Sequence, residues 1–473
     1  MGAARRSARN VTTRGNAVIL DARSFGARGD GLTLDTQALQ AAIDAAALRG
    51  ATLRLPPGTY LTGALFLKSG MTLRLEAGAT LRGSRHLADY PLLPTRVAGI
   101  EMRWPAALVN IYGEHDVSLV GEGCIDGDGQ AYWDHYWQLR AAYEPRGLRW
   151  ASDYDAQRPR LVQVFESARV RIGDGLLLRR SGFWTLHLCY SEDVAVEYLT
   201  IRNNDEARGP STDGIDIDSS RRVRIRHADI AVNDDALVLK AGRDADGLRV
   251  ARASEDIDIQ DCIVREGAAG ITFGSETSGG FRRIRVRGLQ VLGGVPVGIL
   301  FKSSPTRGGL IEDVHLADFQ LRDVATVMRI TMNWNPAYSR AVLPAAEVAR
   351  APRHWLTLST PVPAEQGRTQ VGGVRLDNLR ARGARTAFEV DAHAEAPLRD
   401  FRFTDLDIQA QRGGHIQDVL GWRFAHCRMQ LGTPIALGPG CALSGLSAEH
   451  WDVDPSLQRR DVSGLPLAEQ DVL

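Results

Sequence analysis

Three aspartates give this sequence its first prospect of chemistry: Asp213, within Ser211-Thr212-Asp213-Gly214, and the pair Asp234-Asp235, which begins twenty-one residues later within Asn233-Asp234-Asp235. Each site precedes a short alternating segment, Ile215-Asp216-Ile217-Asp218 in one case and Leu237-Val238-Leu239-Lys240 in the other. If each unit is one coil of a stacked parallel sheet, a strand spacing of about 4.8 Å brings the carboxylates into one patch. An isolated Asp-Gly or Asp-Asp is usually a solvated turn. A cluster behaves differently, because three close carboxylates cannot all ionise cheaply. One is pushed to keep its proton, which it can donate, while its neighbours accept. Which one holds the proton is a property of the group. The same hard oxygens could instead ligate calcium.

Only three of the 57 basic residues are lysine: Lys68, Lys240 and Lys302. A chain so biased toward arginine keeps lysine where a compact point charge serves better than a planar fork. Formal net charge is zero, so bulk electrostatics recommend neither a nucleic-acid nor an anionic-membrane partner, and any anionic ligand must be held by local charge. No apolar run reaches the roughly eighteen residues of a membrane span. The first twenty residues carry arginines but no apolar region of a secretory signal. A cytoplasmic location is expected unless a signal was removed, in which case the location is periplasmic or secreted. The five cysteines, Cys124, Cys189, Cys262, Cys427 and Cys441, lack metal-ligand spacing, and their odd number fits free thiols.

The elements that must position the aspartates form a weak repeat. Branched apolar residues alternate in Val117-Ser118-Leu119, Val170-Arg171-Ile172, Val194-Ala195-Val196, Val223-Arg224-Ile225, Ile257-Asp258-Ile259, Ile284-Arg285-Val286, Val314-His315-Leu316 and Val374-Arg375-Leu376. Spacing near thirty residues, with Gly and Asp between strands, predicts an all-β solenoid. Thr36 to Leu48 is an Ala-rich amphipathic stretch, predicted to be a helix capping the open N-terminal end. Helical periodicity is otherwise nearly absent. The expected organisation is a flexible segment over 1–20, one solenoid over 21–450 with a loop excursion at 340–370, and a tail over 451–473. A monomer is expected.

Arg23-Ser24-Phe25-Gly26-Ala27-Arg28-Gly29-Asp30-Gly31, Asp35-Thr36, Gly123-Cys124-Ile125-Asp126-Gly127-Asp128-Gly129, Ser181-Gly182-Phe183-Trp184, the aspartate motifs, Gly274-Ser275-Glu276-Thr277-Ser278-Gly279-Gly280 and Phe301-Lys302 follow one another in order. Together, over roughly residues 20 to 340, they resemble glycoside hydrolase family 28, the polygalacturonases and rhamnogalacturonan hydrolases. The resemblance implies a single-stranded right-handed parallel β-helix that hydrolyses pectic polysaccharide with inversion and without cofactor or metal. It assigns Asp234 as the acid, with Asp213 and Asp235 holding and deprotonating water; inverting pairs ordinarily stand about 6.5 to 9.5 Å apart.

The resemblance also marks Lys302 as a partner for a galacturonate carboxylate. Lys240, Arg307, Glu276 and Trp184 are further candidate binding residues, although Lys240 could neutralise Asp213 and Arg307 could brace its loop. Tyr132, Trp133, Tyr136, Trp137, Trp334 and Tyr338 are candidates to stack on sugars, with one or two expected at the site and the rest in packing. His187 reads as structural. Two departures bear on substrate. The Gly-His-Gly of polygalacturonases is Ala268-Ala269-Gly270 here, and their Arg-x-Lys is Leu300-Phe301-Lys302. An apolar Leu300 suits a neutral rhamnose better than a carboxylate, which favours rhamnogalacturonan or branched pectin over homogalacturonan. The rival readings are a calcium-dependent pectate lyase and a non-catalytic carbohydrate-binding β-helix.

Overall fold

The computed structural model describes residues 18–204 and 209–454. The expected flexible segment over 1–20 and the tail over 451–473 lie mostly outside them. The chain winds as a right-handed parallel β-helix whose strands stack in three columns, every pairing in the long sheet being parallel. The repeat in the sequence is one interior ladder of this stack. Val117, Val170, Val194, Val223, Ile257, Ile284, Val314 and Val374 pair in that order from rung to rung. All are buried. Each such side chain removed from water contributes about 1.5 to 3 kcal/mol, and a one-residue slip would turn the whole ladder outward.

Outside this ladder the same strands carry alternating charge. Glu192, Arg221, Glu255, Arg282 and Glu312 follow one another in register. Beside them runs a second alternating row, paired as Arg169 to Asp116 at 2.7 Å, Arg222 to Asp193 at 2.7 Å and Arg283 to Asp256 at 2.6 Å. Exposed pairs of this kind contribute little each, but opposite charges on neighbouring strands favour this register over a slipped one.

The helix Thr36–Ala47 turns Leu39, Ala42, Ile43 and Ala46 onto the first coils, the i, i+3, i+4, i+7 face of an amphipathic cap. Buried Asp35 accepts from the backbone of Arg28 and Gly29 and so ties the opening motif to this helix. Two elements differ from expectation. Gln130–Tyr143 is a second long helix, which buries Tyr132, Trp133 and Tyr136; clustered aromatics masked the helical period. Leu92–Val97 and Ile100–Pro105 form an antiparallel hairpin outside the stack. The 340–370 stretch carries short helices, among them Arg353–Leu358 and Ala364–Gly367, before Gln370–Val371 rejoins the sheet. All five cysteines are free.

Candidate active site

Asp213 and Asp235 occupy the turns that lead into Ile215–Asp218 and Leu237–Lys240, two stacked strands of one column. Backbone hydrogen bonds from Thr185 to the Asp213 carbonyl and from Gly214 to the Asp235 carbonyl stack these turns in register. Asn203, buried beneath them, accepts from the Ser181 backbone and donates to the Thr212 carbonyl, which fixes the first turn. Asp213, Asp234 and Asp235 each offer an oxygen within 4.8 Å of the others. This is closer than the separation expected of an inverting pair. Asp213 and Asp235 are buried and Asp234 is half-buried, facing the pocket.

Two lysines hold the cluster. Lys302 donates to Asp235 at 2.7 Å and lies 4.3 Å over the Trp334 ring. Lys240 stands 3.4 Å from Asp213, 3.5 Å from Asp216 and 3.4 Å from Glu276, with its ammonium 4.6 Å over Trp184. In this arrangement Lys302, expected to meet a substrate carboxylate, has Asp235 as its partner. The second oxygen of Asp235 accepts from the Thr272 hydroxyl at 2.9 Å.

Burial, reinforced by Asp216 and Asp234, pushes the Asp213 carboxyl well above the usual range, with Lys240 opposing. Burial and the neighbouring Asp235 likewise raise Asp234, against the pull of Lys302. Burial raises Asp216 to about 8 despite Lys240. Glu276 is also buried, yet Lys240, Arg307 and Lys302 together hold it below its ordinary value. The site therefore keeps protons on some carboxyls while others stay charged. As a cation site the trio is already partly neutralised, since two of its three members face a lysine ammonium.

Arg307 is fully buried outside the pocket lining, bonded to the Ser275 carbonyl at 3.1 Å and paired with Asp244. Trp184 lines the pocket and stacks on Phe183 at 4.9 Å. Trp334 and Tyr338 also line it. Tyr132, Trp133 and Tyr136 are packed away, and Trp137 is exposed. His187 is buried 3.3 Å from Asp218, and burial with nearby Arg160 lowers it to about 4. Ala269 and Leu300 form a closed apolar cluster with Val297, and neither belongs to the pocket lining.

Sequence reasoning passed over Asp216, Thr272 and Arg243. Asp216 and Thr272 sit at outward positions of alternating strands, where a covered face buries them; the polar residue between two branched apolar ones was the available signal. Arg243 had no local signal. Its buried guanidinium bonds Tyr154 at 2.9 Å, the Tyr338 carbonyl at 2.9 Å and the Ser339 carbonyl at 3.1 Å, while its backbone donates to Gly99. One side chain thus joins three excursions into a wall beside the carboxylates. Gly99 is required there, because an added Cβ would lie 2.3 Å from that of Arg243.

The molecule is a parallel β-helix with buried, lysine-held carboxylates clustered on one face. The chain belongs to glycosyl hydrolases family 28, whose profile matches residues 51–348. The profile described as rhamnogalacturonase A/epimerase, pectate lyase-like, matches residues 19–77. Among curated proteins, a "Probable polygalacturonase" of Vitis vinifera is 30% identical over 293 residues, 60% of this chain and 56% of that protein. An exo-poly-alpha-D-galacturonosidase of Dickeya chrysanthemi is 26% identical over 67% of this chain and 57% of that protein. The chain thus spans little more than half the length of these relatives. The exopolygalacturonase of Thermotoga maritima shares the fold, with a TM-score of 0.70 at 23% identity, covering 87% of this chain and 91% of that one.

Proposed function

We propose that this chain is an inverting glycoside hydrolase that cleaves α-galacturonosyl linkages in pectic polysaccharide. The observation that carries the reading is the trio Asp213, Asp234 and Asp235 lining one pocket, with both oxygens of Asp235 already engaged. Asp234, half-buried and raised in pKa, is the acid that protonates the leaving oxygen. Asp213 and Asp235 hold and deprotonate the water. The short spacing would by the usual rule suit a retaining pair. Against that, an Asp235 held by Lys302 and Thr272 is anchored as a base and poorly free to attack carbon. Asp216, buried beside Asp213, is raised as well, and which of the two gives up its proton first is a property of the pair. Turnover by Asp234→Asn at near the wild-type rate would sink this assignment.

For the sugar after the cleaved bond we propose a neutral unit, as in rhamnogalacturonan or branched pectin. The three cations lining the pocket are each committed: Arg149 to Asp153 at 2.9 Å, Lys240 to its three carboxylates and Lys302 to Asp235. An incoming carboxylate would find no free partner and would carry its desolvation cost uncompensated. The relatives named polygalacturonases support the alternative, homogalacturonan. Product analysis on polygalacturonate and rhamnogalacturonan side by side separates the two, and efficient cleavage of polygalacturonate alone would refute the neutral subsite.

A further inference from the structure

The alternating charge rows end abruptly. Glu312 and Asp313 close them, and the next rung, entered through Val371 paired with Ile311, supplies Gly372 and Gly373 where continuation would supply two cations. With no side chain at these two positions, a groove of about 560 Å³ opens between Glu312 and Asp313 on one side and Arg375, Arg399, Arg402 and Asp400 on the other. Arg375 pairs in register with Arg402, and Arg402 with Arg423. Stacked like charges on neighbouring strands are unfavourable. Whereas Asp313 is bound to Arg285 at 2.9 Å, among the described residues Arg375, Arg399 and Arg402 have no ion-pair partner.

We propose that this groove is a second carbohydrate site, sharing no residue with the carboxylate pocket, that takes a uronate unit of an acidic glycan. The planar guanidinium groups match a carboxylate bidentately, and the oxygens of Glu312 and Asp400 accept from sugar hydroxyls, which are donors. Both halves of the groove are then used. A neutral sugar would leave the arginines idle, and a bare inorganic anion would face the two acids without giving them a hydrogen. Rungs repeat at about 4.8 Å, so the arginine row follows a glycan laid along the stack.

The test is affinity electrophoresis of the full chain through gels containing polygalacturonate, with fully methyl-esterified pectin and a neutral galactan as controls. Wild type is expected to be retarded by polygalacturonate alone. The double variant Arg375→Ala/Arg402→Ala should bind at least about tenfold more weakly, the loss of two charge-assisted contacts, with kcat on a short soluble substrate unchanged. Arg399→Ala serves as a second variant should the double one lose thermal stability. Asp234→Asn should remain retarded, which keeps failure of this site distinct from failure of the catalytic reading. Absence of retardation in wild type, equal retardation by neutral galactan, or unchanged retardation in both arginine variants would overturn the proposal.

Discussion

Replacing Asp216 by Asn should stabilise the protein, and by an amount that depends on pH. The carboxyl is fully buried beside Asp213 and 3.5 Å from the Lys240 ammonium, and burial raises its pKa from 3.8 to about 8. A raised carboxyl is neutral in the folded chain and ionised in the unfolded one between those values, so wild type loses stability as pH rises from about 4 to about 8. At 1.36 kcal/mol per unit, the penalty is roughly 3 kcal/mol at pH 6 and at most about 6 kcal/mol above pH 8. An amide mimics the protonated acid: its oxygen faces Lys240 and its NH2 can donate toward Asp213, as the protonated carboxyl does. Urea unfolding of both proteins at pH 4, 6 and 8 should give matching midpoints at pH 4 and a widening gain for the variant above it. The alkaline limb of the activity profile should also move upward, since Asp216 can no longer lose its proton. A variant that is no more stable than wild type at pH 7, or a gain independent of pH, would refute the buried-proton account.

Asp234→Asn should lower kcat by about 10² to 10⁴, the usual worth of a positioned general acid, with substrate affinity and melting temperature nearly unchanged in calorimetry. Proton NMR of the first product should show inversion of the anomeric centre; retention would mean that a carboxylate attacks directly, as the short spacing alone suggests. The pH profile should be bell-shaped, because the raised Asp234 must keep its proton while its neighbours are ionised. Thr272→Val frees one oxygen of Asp235, and single-turnover kinetics should show a slower chemical step with little change in KM.

The coil and its register were legible because they depend on a period the chain carries itself: branched apolar residues near every thirtieth position can be buried together in only one stacking, and Asp213 and Asp235 follow from it. The alternation Glu-Asp-Val, Arg-Arg-Val, Glu-Asp-Ile, Arg-Arg-Ile, Glu-Asp-Val, beginning at residues 192, 221, 255, 282 and 312, was equally present in the sequence, although its meaning appears only once those strands are neighbours. What the sequence could not determine is where each charge finds its partner. Lys302 is sixty-seven residues from Asp235, and Arg243 bonds Tyr154 and Tyr338 from excursions eighty-nine and ninety-five residues away. Such pairings are set by how loops leave the stack and fold back over it, which no local period encodes. Burial decides the rest. Asp216 and Asp213 are chemically identical to the many solvated aspartates of this chain, and only the tertiary cover that removes their water makes their protons expensive to lose.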